Sequence, residues 1–449
     1  MPFIRSISGL RATLGDGLIP SVLADYAVAF SNIIPNKKVV IGRDGRPSGK
    51  WIENLISGAL VAAGCQVRLL GIAPTPTVQL EAEHTDAGGG IAITASHNPG
   101  QWNGLKFINS NGVFLDAEEN AALWDLIDNK MISIPYSTDF YDVIHDYDAV
   151  HRHIQRIMKL SLIQNNVDKI RHRRFKVVVD AVNSSGSNAV PELLRLFGCE
   201  VIDLFCDGSG LFPHTPEPIP ENLIDLAQTV KAVKADLGIA VDPDADRLVL
   251  IDENGLPIGE EKTIALATES VLSDSDKKGN IVINLSTSSV TKLVADKYGF
   301  KTLRSPVGEI NVVKLMKESN AIIGGEGSGG VIMPECHYGR DSLVGIALIL
   351  NLLAGSNRTL SEASNQLPKM FMVKLKKNYT GDLNKLFDDL ASKYHREQIT
   401  LSDGIRIDFD NYWVQLRASN TEPIVRVIAE ANNSELAGQI ANDILSYVK

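Results

Sequence analysis

The sequence predicts an α/β protein with three mixed, mostly parallel α/β domains and a smaller C-terminal α+β domain. Three observations support this prediction. Short β-branched runs alternate with helical patterns, this alternation restarts twice, and the last part of the chain alternates apolar and polar residues as antiparallel strands do. A chain of 449 residues also exceeds one ordinary core, because domains usually hold about 100–200 residues. We place the domains at residues 1–152, 153–254, 255–368 and 369–449.

The first domain begins with strand–loop–helix units. "KKVVIGRDGRPSG" is typical of a strand and a loop, and "WIENLISGALVAAG" has helical periodicity and a terminal glycine. "CQVRLLGIAPTPTV" is a second strand stopped by prolines, and "GGGIAITASHNPG" is a third strand that runs into a polar loop. Because ligands in open α/β sheets bind at strand ends, that loop is a candidate site.

The pattern restarts near residue 174. "RFKVVVDAVNSSGS", "EVIDLFCD" and "DLGIAVDPDAD" are typical of strands, separated by the helices "AVPELLRLFGC" and "IDLAQTVKAVKA". In the third domain "EEKTIALATESVLSD", "TKLVADKYG" and "DSLVGIALILNLLAG" indicate helices, and "GNIVINLSTSS", "FKTLRSPVG" and "NAIIGGEGSGGVIM" indicate strands with loops. The last domain combines the alternating stretch "GIRIDFDNYWVQLRASNTEPIVRVIAEANN" with the amphipathic helix "SELAGQIANDILSYVK".

Composition narrows the class of protein. A formal charge of −10 argues against a nucleic acid or an anionic membrane as the main partner, although a local basic pocket can still bind an anionic substrate. The four cysteines are scattered and form no CxxC pair, which favours free thiols in a reducing compartment. Because the N-terminus has no long apolar segment and no apolar run reaches about 18 residues, we expect a cytoplasmic protein.

"VDPDADRLVL" places Asp242, Asp244 and Asp246 at a spacing of two. Three adjacent carboxylates repel one another unless a cation neutralises them, and oxygen ligands favour a hard cation such as Mg²⁺ or Ca²⁺. An EF-hand does not fit, because Arg247 stands where that loop needs glycine. The remaining alternative is a solvated acidic turn.

Two further loops carry polar groups. "GGEGSGG" is glycine-rich, matches no P-loop, and offers Glu326 and Ser328 as hydrogen-bonding groups for sugar hydroxyls, with a flexible turn as the alternative. "RASNTEP" combines a guanidinium with short polar side chains, which fits either an anion-binding nest or a capped turn. Its candidate phosphate-binding residues are Arg417, Ser419, Asn420 and Thr421.

"TASHNP" joins Ser96 to His97. A hydrolase triad is disfavoured, because neighbouring loop side chains rarely face each other as nucleophile and base and the G-x-S-x-G pattern is absent. A helix cap is the ordinary alternative. Together, however, a hard cation, an anion nest and a hydroxyl are the parts of a phosphoryl-transfer site, in which the serine itself could carry the phosphate.

At this point the sequence resembles the α-D-phosphohexomutase family over essentially the whole chain. "TASHNP" is similar to the family's phosphoserine loop, "DPDADR" to its metal loop, "GEGSGG" to its sugar-recognition loop and "RASNTEP" to its phosphate-binding loop, all in the family's order. Further similar motifs are "SGLRAT", "GRDGRPSG", "GIAPTPT", "NGLKF" and "FPHTPEPIPENL".

The resemblance implies a heart-shaped protein of four domains around a central cleft. It implies that Ser96 is phosphorylated and that one Mg²⁺ per chain binds Ser96 and the three aspartates. A hexose 1-phosphate and 6-phosphate would interconvert through a hexose 1,6-bisphosphate that serves as intermediate and activator. The residues expected around the transfer site are Arg11, His97, Lys106 and Arg247. The expected partner is a small sugar phosphate, and the chain is expected to be a monomer or homodimer.

Two positions depart from the family's pattern, and a third bears on the choice of substrate. Gly330 stands where many members have a histidine, so we consider His337 as a replacement general acid/base, with a structural histidine as the alternative. Ala12 replaces a glycine. Glu309 occupies a position that is acidic in phosphoglucosamine mutases, where it could pair with a substrate ammonium group.

Glucosamine phosphate is therefore the preferred substrate in this interpretation. Glucose or mannose phosphate is the alternative, as in a phosphomannomutase/phosphoglucomutase. A sugar bisphosphate synthase and a non-catalytic sugar-phosphate binder also stay open, although the second predicts loss of Ser96 or of a metal-loop aspartate, and all of these residues are present.

Overall fold

The computed structural model describes residues 3–134, 141–273, 276–418 and 424–448. Within these residues it contains four sheets, of eight, four, four and five strands, in the order of the four predicted domains. The predicted mixed, mostly parallel architecture holds for the first three domains, and the last sheet is antiparallel throughout. The predicted boundaries after residues 254 and 368 fall in loops, whereas the boundary after residue 152 falls inside a helix.

The first domain contains the eight-stranded sheet. Its strands are β1 (Ile4–Ser6), β2 (Gly9–Leu14), β3 (Gly17–Leu18), β4 (Lys38–Arg43), β5 (Gln66–Ile72), β6 (Gly89–Ile93), β7 (Trp102–Asn109) and β8 (Ile144–His145). Its helices are α1 (Pro20–Ile33), α2 (Gly49–Ala62), α3 (Thr75–His84) and α4 (Ala117–Asp128). The sheet order is β1-β2-β7-β6-β4-β5-β8, with β3 beside β2. The prolines that end the predicted second strand open α3, as proline does in the first turn of a helix.

Two helices, α5 (Ala149–Met158) and α6 (Ser161–Arg173), lead into the second domain. Its strands are β9 (Lys176–Asp180), β10 (Glu200–Phe205), β11 (Leu237–Val241) and β12 (Leu248–Asp252), and its helices are α7 (Gly186–Leu196) and α8 (Ile224–Val233). A short 3₁₀ turn, Pro220–Asn222, precedes α8. The sheet order is β10-β9-β11-β12.

The third domain has the same sheet plan, with the order β14-β13-β15-β16. Its strands are β13 (Asn280–Asn284), β14 (Thr302–Ser305), β15 (Ala321–Glu326) and β16 (Gly330–Ile332). Its helices are α9 (Glu261–Leu272), α10 (Ser289–Lys297), α11 (Glu309–Ser319), α12 (Ser342–Ser356) and α13 (Leu360–Gln366). Only strands and loops were predicted between residues 300 and 333, so α11 is a correction. It buries Val312, Val313 and Met316, a spacing that fits one helical face.

The fourth domain is built on the sheet β17-β21-β20-β19-β18. Its strands are β17 (Phe371–Asn378), β18 (Gln398–Thr400), β19 (Ile405–Asp408), β20 (Tyr412–Ala418) and β21 (Ile424–Ala431), and its helices are α14 (Leu383–Lys393) and α15 (Ser434–Ser446). Leu390, Ile405, Val427 and Ile444 belong to a core of its own. This domain therefore has an independent apolar core.

The second and third domains, by contrast, share one apolar core. Leu193 and Leu248 of the second domain belong to the same cluster of buried side chains as Leu266 and Leu348 of the third. Among the described residues no single helix has the length and apolarity to cross a membrane. Among the described residues, one pair of helices, α12 and α13, is together long and apolar enough by length and composition alone. These two helices are bent by 89° relative to each other. All four cysteines are free thiols, as predicted.

Candidate active site

Three of the four predicted loops occupy the same place in their domains. Each α/β sheet has a central strand with a parallel neighbour on either side. One of these neighbours is followed in the chain by a strand that returns antiparallel to it. These antiparallel pairs are β6–β7, β11–β12 and β15–β16. Each of these pairs is connected by one predicted loop. We call them the serine loop, which contains Ser96, the metal loop, which contains the three aspartates, and the sugar loop, which contains Glu326 and Ser328. The fold therefore presents three different chemistries from three equivalent hairpins.

Ser96 lies at the tip of the first hairpin and is only 4% exposed. Its φ of +50° is in the left-handed region, which costs a non-glycine residue about 1–2 kcal/mol and is common at functional sites. The turn is held because the Ser96 amide donates to Thr94 Oγ1 at 2.9 Å and the Ser96 carbonyl accepts from Arg46 at 2.7 Å. Its hydroxyl donates to Asp242 Oδ2 at 3.0 Å. The serine and metal loops are thus joined directly.

The metal loop gathers its three aspartates. One oxygen from each of Asp242, Asp244 and Asp246 lies within 4.8 Å of the other two, and all three residues are buried. Ala245 has φ +52°, so this hairpin also contains a left-handed residue. Asp244 Oδ1 and Asp246 Oδ1 are buried and have no hydrogen-bond donor among the residues that the structure describes. Unpartnered carboxylate oxygens in an oxygen-only cluster fit a hard divalent cation such as Mg²⁺.

Lys106, on β7, supplies a positive charge to this cluster. Its ammonium lies 2.6 Å from Asp244 Oδ2 and 3.2 Å from Asp246 Oδ2. Burial opposes ionisation of Asp244, but the Lys106 ammonium holds the pKa of that carboxyl below its usual range. Burial, together with the neighbouring carboxylates of Asp246 and Asp244, raises the pKa of Asp242 well above its ordinary value. The cluster therefore has more negative charge than Lys106 neutralises.

His97 and two arginines surround the same hydroxyl. His97 Nδ1 lies 3.4 Å from Ser96 Oγ. Burial and the positive charges of Arg247 and Arg11 lower the pKa of His97 to about 2, so the imidazole is neutral at neutral pH. The Arg247 amide donates to Asp242 Oδ1 at 3.1 Å, and Arg11 donates to Asn98 Oδ1 at 3.3 Å. The basic residues predicted around the transfer site do converge there.

The sugar loop makes several hydrogen bonds around Glu326. Glu326 Oε1 accepts from Asn284 Nδ2 at 2.7 Å and from the Gly308 amide at 3.1 Å, and Oε2 accepts from Arg340 at 2.7 Å. The next amide, that of Gly327, donates to Thr287 Oγ1 at 3.0 Å. These hydrogen bonds hold the Glu326 carboxylate from three directions and favour an ordered binding loop over the alternative of a flexible turn.

The fourth domain contributes a basic wall. Arg417 lies next to the end of β20 and donates to Asp403 Oδ1 at 3.3 Å, and it lines the same cavity as Lys374 and Arg426. The predicted phosphate-binding residues Ser419, Asn420 and Thr421 lie outside the described residues. Lys374 and Arg426 carried no motif and were not predicted, although their alternation with apolar residues on β17 and β21 places them on the polar face of the sheet.

All four domains meet at one cavity of about 360 Å³. Among the predicted residues that line it are Arg11, Ser96, Lys106, Arg247, Glu326, Ser328 and Arg417. The three aspartates lie directly behind Ser96 and Lys106. A cavity of this size with a hydroxyl, a carboxylate cluster and several cations can hold a phosphorylated small molecule.

Two predictions about individual residues need revision. His337 is buried, and its Nε2 lies 3.1 Å from Asp341 Oδ2, which also lies 2.7 Å from His153 Nε2. His337 is not among the described residues that line the cavity, so its position favours the structural alternative. Glu309 does line the cavity, but it already accepts from Gln79 at 3.0 Å and from Arg340 at 2.9 Å.

Arg340 is the main residue that the sequence interpretation missed. It is buried beside the sugar loop and contacts Asp246, Glu309 and Glu326. Its only sequence signal is an isolated arginine in "HYGRDS", between the glycine-rich loop and the apolar helix. Nothing in that local pattern shows that its three partners come from three separate segments.

Comparisons with known proteins agree with this arrangement. Four models of phosphoglucomutase/phosphomannomutase domains match the chain in order. They are α/β/α domain I over residues 4–132, domain II over 151–255, domain III over 260–371 and the C-terminal domain over 373–446.

Full-length relatives are similar over almost the whole chain. The phosphoglucomutase/phosphomannomutase of Thermococcus kodakarensis is 36% identical, covering 96% of this chain and 94% of the relative. The phosphoglucosamine mutase of Methanococcus vannielii is 31% identical, covering 98% and 97%. The crystal structure of a phosphoglucomutase/phosphomannomutase family protein from Burkholderia thailandensis superimposes with a TM-score of 0.85 at 28% identity, covering 99% and 98%. The chain therefore belongs to the phosphoglucomutase/phosphomannomutase family, the α-D-phosphohexomutases.

Proposed function

We propose that this phosphohexomutase interconverts hexose 1-phosphate and hexose 6-phosphate with Ser96 as the phosphate carrier. One observation carries the proposal. Ser96 lines the cavity from a left-handed turn, and its hydroxyl donates to Asp242, at the junction of the acidic cluster and the basic residues. A serine at that junction suits a group that is alternately phosphoryl donor and acceptor.

Mg²⁺ is the proposed cofactor. Asp242, Asp244, Asp246 and the phosphorylated Ser96 would hold it, in keeping with the unpartnered oxygens of two of these aspartates. When bound, the ion would neutralise charge on the phosphoryl group during transfer. Lys106 stays paired with Asp244 and Asp246 and limits the repulsion among the carboxylates.

In the proposed transfer, the bond between phosphorus and Ser96 Oγ breaks as a sugar hydroxyl bonds to phosphorus. The net proton movement is from that hydroxyl to Ser96 Oγ. Arg11 and Arg247 line the cavity beside the serine and are suited to the charge on the phosphoryl oxygens. His97 is neutral there and can donate or accept only one hydrogen bond at each ring nitrogen.

The non-reacting phosphate of the substrate is proposed to bind the wall formed by Lys374, Arg417 and Arg426. This wall and Ser96 belong to different domains, so one phosphate can be held while the other reacts. A hexose 1,6-bisphosphate formed on the enzyme would then have to turn within the cavity and return its other phosphate to Ser96. Water exclusion is required meanwhile, because water in the activated site could accept the phosphoryl group in place of the sugar hydroxyl.

Glucosamine phosphate is the proposed substrate, as the name of the Methanococcus vannielii relative suggests. Glu309 supports this choice less than its sequence position indicated, because Gln79 and Arg340 occupy its two oxygens and burial raises the pKa of its carboxyl. The Thermococcus kodakarensis relative favours glucose or mannose phosphate as the second candidate.

The decisive experiment uses phosphorylated protein and Mg²⁺ with the 1-phosphates of glucosamine, glucose and mannose. We expect many turnovers per enzyme without an added phosphoryl donor and the highest kcat/KM for glucosamine 1-phosphate. Preference for glucose or mannose 1-phosphate would overturn the substrate choice. A requirement for fresh donor in each cycle would instead identify a sugar bisphosphate synthase.

The phosphate carrier is tested separately by intact mass. Wild-type protein incubated with hexose 1,6-bisphosphate should gain one phosphate mass, and the Ser96→Ala variant should not. Ser209→Ala, a change at an exposed loop serine outside the cavity, is the matched control and should gain the phosphate normally. Retention of the added mass by Ser96→Ala would place the phosphate elsewhere.

A further inference from the structure

Arg340 joins three separate segments of the cavity wall through one guanidinium. Its NH1 donates to Glu326 Oε2 at 2.7 Å, its Nε to Glu309 Oε2 at 2.9 Å, and its NH2 to Asp246 Oδ2 at 2.7 Å. These partners belong to the sugar loop, the start of α11 and the metal loop. All four side chains are nearly or completely buried. Only the planar, five-donor head of arginine can serve three carboxylates in this way.

Gly330 provides the space for this side chain. A Cβ atom on Gly330 would lie 2.3 Å from Cδ and 2.9 Å from Cγ of Arg340. Real Cβ atoms do not approach neighbouring carbons that closely, so the arginine stem passes across the glycine where any side chain would stand. The departure at position 330 and the buried arginine ten residues later are therefore one structural feature.

The contact with Glu326 matters most for ligand binding. Among the described ion pairs, Arg340 is the cation that pairs with Glu326. The other donors to this carboxylate are neutral: the Asn284 side-chain amide and the Gly308 backbone amide. Without the guanidinium, Glu326 Oε2 would lose its charge-assisted hydrogen bond. The carboxylate would then be free to rotate toward other donors, and Glu309, which shares the arginine, would lose its cation at the same time.

We propose that Arg340 is a positioning residue for sugar recognition, acting through Glu326 and Glu309, and that Gly330 is required to accommodate it. The proposal rests on the function proposed above and extends it by two residues. Arg340 fixes the carboxylates that face the sugar, and the basic wall of the fourth domain binds the distal phosphate independently. Loss of Arg340 should therefore weaken binding of the sugar portion and leave binding of the phosphate portion unchanged.

The test measures binding without turnover in the Ser96→Ala chain, by calorimetry with glucosamine 6-phosphate, glucose 6-phosphate, mannose 6-phosphate and inorganic phosphate. We expect Arg340→Ala to raise the Kd of the preferred hexose phosphate about 10- to 100-fold, as loss of a charge-assisted hydrogen bond does. The preference among the three sugars should shrink, and the Kd of inorganic phosphate should stay within about twofold. Arg340→Lys, which retains the charge but not the fork, should give an intermediate Kd.

Gly330→Ala provides a second route that keeps the arginine. It should weaken hexose phosphate binding in the Arg340-containing chain and have no further effect in the Arg340→Ala chain, because the clash is with the arginine stem. This variant decides the question if Arg340→Ala does not fold. Arg156→Ala is the matched control, because Arg156 donates to the Cys336 carbonyl and does not line the cavity, and it should bind every ligand normally.

Three results would overturn the role of Arg340. They are unchanged sugar binding in Arg340→Ala, an equal loss for hexose phosphate and inorganic phosphate, and an effect of Gly330→Ala that is the same with and without the arginine. If the parent Ser96→Ala chain bound no hexose phosphate, the proposed function itself would be overturned. The two failures are therefore distinguishable.

Discussion

Replacing Lys106 with methionine removes the ammonium from the centre of the acidic cluster. Its Nζ lies 2.6 Å from Asp244 Oδ2 and 3.2 Å from Asp246 Oδ2, and all three side chains are at most 5% exposed. At an effective dielectric constant of about 20, each contact corresponds to about 5–6 kcal/mol of Coulomb energy, most of which offsets desolvation. Breaking a buried pair by removing one partner typically costs about 3–5 kcal/mol. We expect Lys106→Met to lose that much unfolding free energy without Mg²⁺.

The measurement is urea unfolding and scanning calorimetry, each with and without Mg²⁺. Adding Mg²⁺ should narrow the difference from wild type, because a cation that binds the freed carboxylates stabilises only the folded chain. Lys292→Met is the matched control, since Lys292 forms a half-exposed pair with Asp296 at 2.6 Å and should lose no more than about 0.5 kcal/mol. If Lys106→Met lost no more stability than this control, the assignment of Lys106 as the counter-charge of the cluster would be refuted.

Two further predictions concern an acid at the cavity and two glycines. Burial raises the pKa of Glu261 to about 7 against the pull of the Lys374 ammonium, so folding favours its protonated form. The Glu261 carboxyl should therefore contribute up to about 3 kcal/mol less to unfolding free energy at about pH 7 than at about pH 4.5, and urea unfolding of Glu261→Gln should lack this part of the pH dependence. Gly9→Ala should destabilise the chain by more than about 1 kcal/mol, because Gly9 has φ +99° and its Cβ would lie 2.0 Å from the Leu105 carbonyl oxygen. Gly58→Ala, in an open position on helix α2, should instead stabilise the chain by about 0.5–1 kcal/mol.

Much of the fold could be predicted because its elements are locally encoded. Short apolar, β-branched runs identified the strands that precede each loop, and the restarts of the pattern indicated three similar units. The antiparallel return strand could not be predicted as a shared feature. β7, β12 and β16 differ in length, and each is buried on both faces like its parallel neighbour, so no alternation of apolar and polar residues distinguishes it. The apolar core that the second and third domains share could not be predicted from the sequence either, because it depends on contacts between separate units.

The residues of the candidate site also fall into those that local sequence can predict and those that depend on contacts between separate segments. Ser96, the three aspartates and Glu326 could be predicted because each lies in a loop that resembles a family motif, and the loops together supply the parts of a phosphoryl-transfer site. Arg340 could not, because its importance comes from partners at positions 246, 309 and 326 that only the fold brings together. His337 shows the limit of sequence proximity. Its closeness to the sugar loop left both a catalytic and a structural role open, and its contact with the buried Asp341 carboxylate favours the structural one.

The way the fourth domain is attached bears on how the cavity could open and close. The second and third domains share an apolar core, but the fourth contacts the third through polar groups. Ser286 Oγ donates to Gln415 Oε1 at 2.7 Å, the Ser289 amide to Glu430 Oε2 at 2.7 Å, and the Val307 amide to Asp403 Oδ2 at 3.0 Å. Water can replace such hydrogen bonds at small net cost, whereas separating an apolar core cannot be compensated in this way. If one domain moves to admit the sugar phosphate, these interfaces leave the fourth freer to move than the second or the third.

In the proposed function, this attachment would allow the distal phosphate and the sugar to be recognised separately. The basic wall belongs to the fourth domain, whereas Ser96, the acidic cluster and Arg340 belong to the other three. A substrate that presented either phosphate to the wall would leave its other end beside Ser96. The sugar hydroxyls would then have to meet Glu326 in both orientations. A carboxylate fixed by a fully paired arginine suits that requirement, because its position does not depend on which end of the sugar has entered.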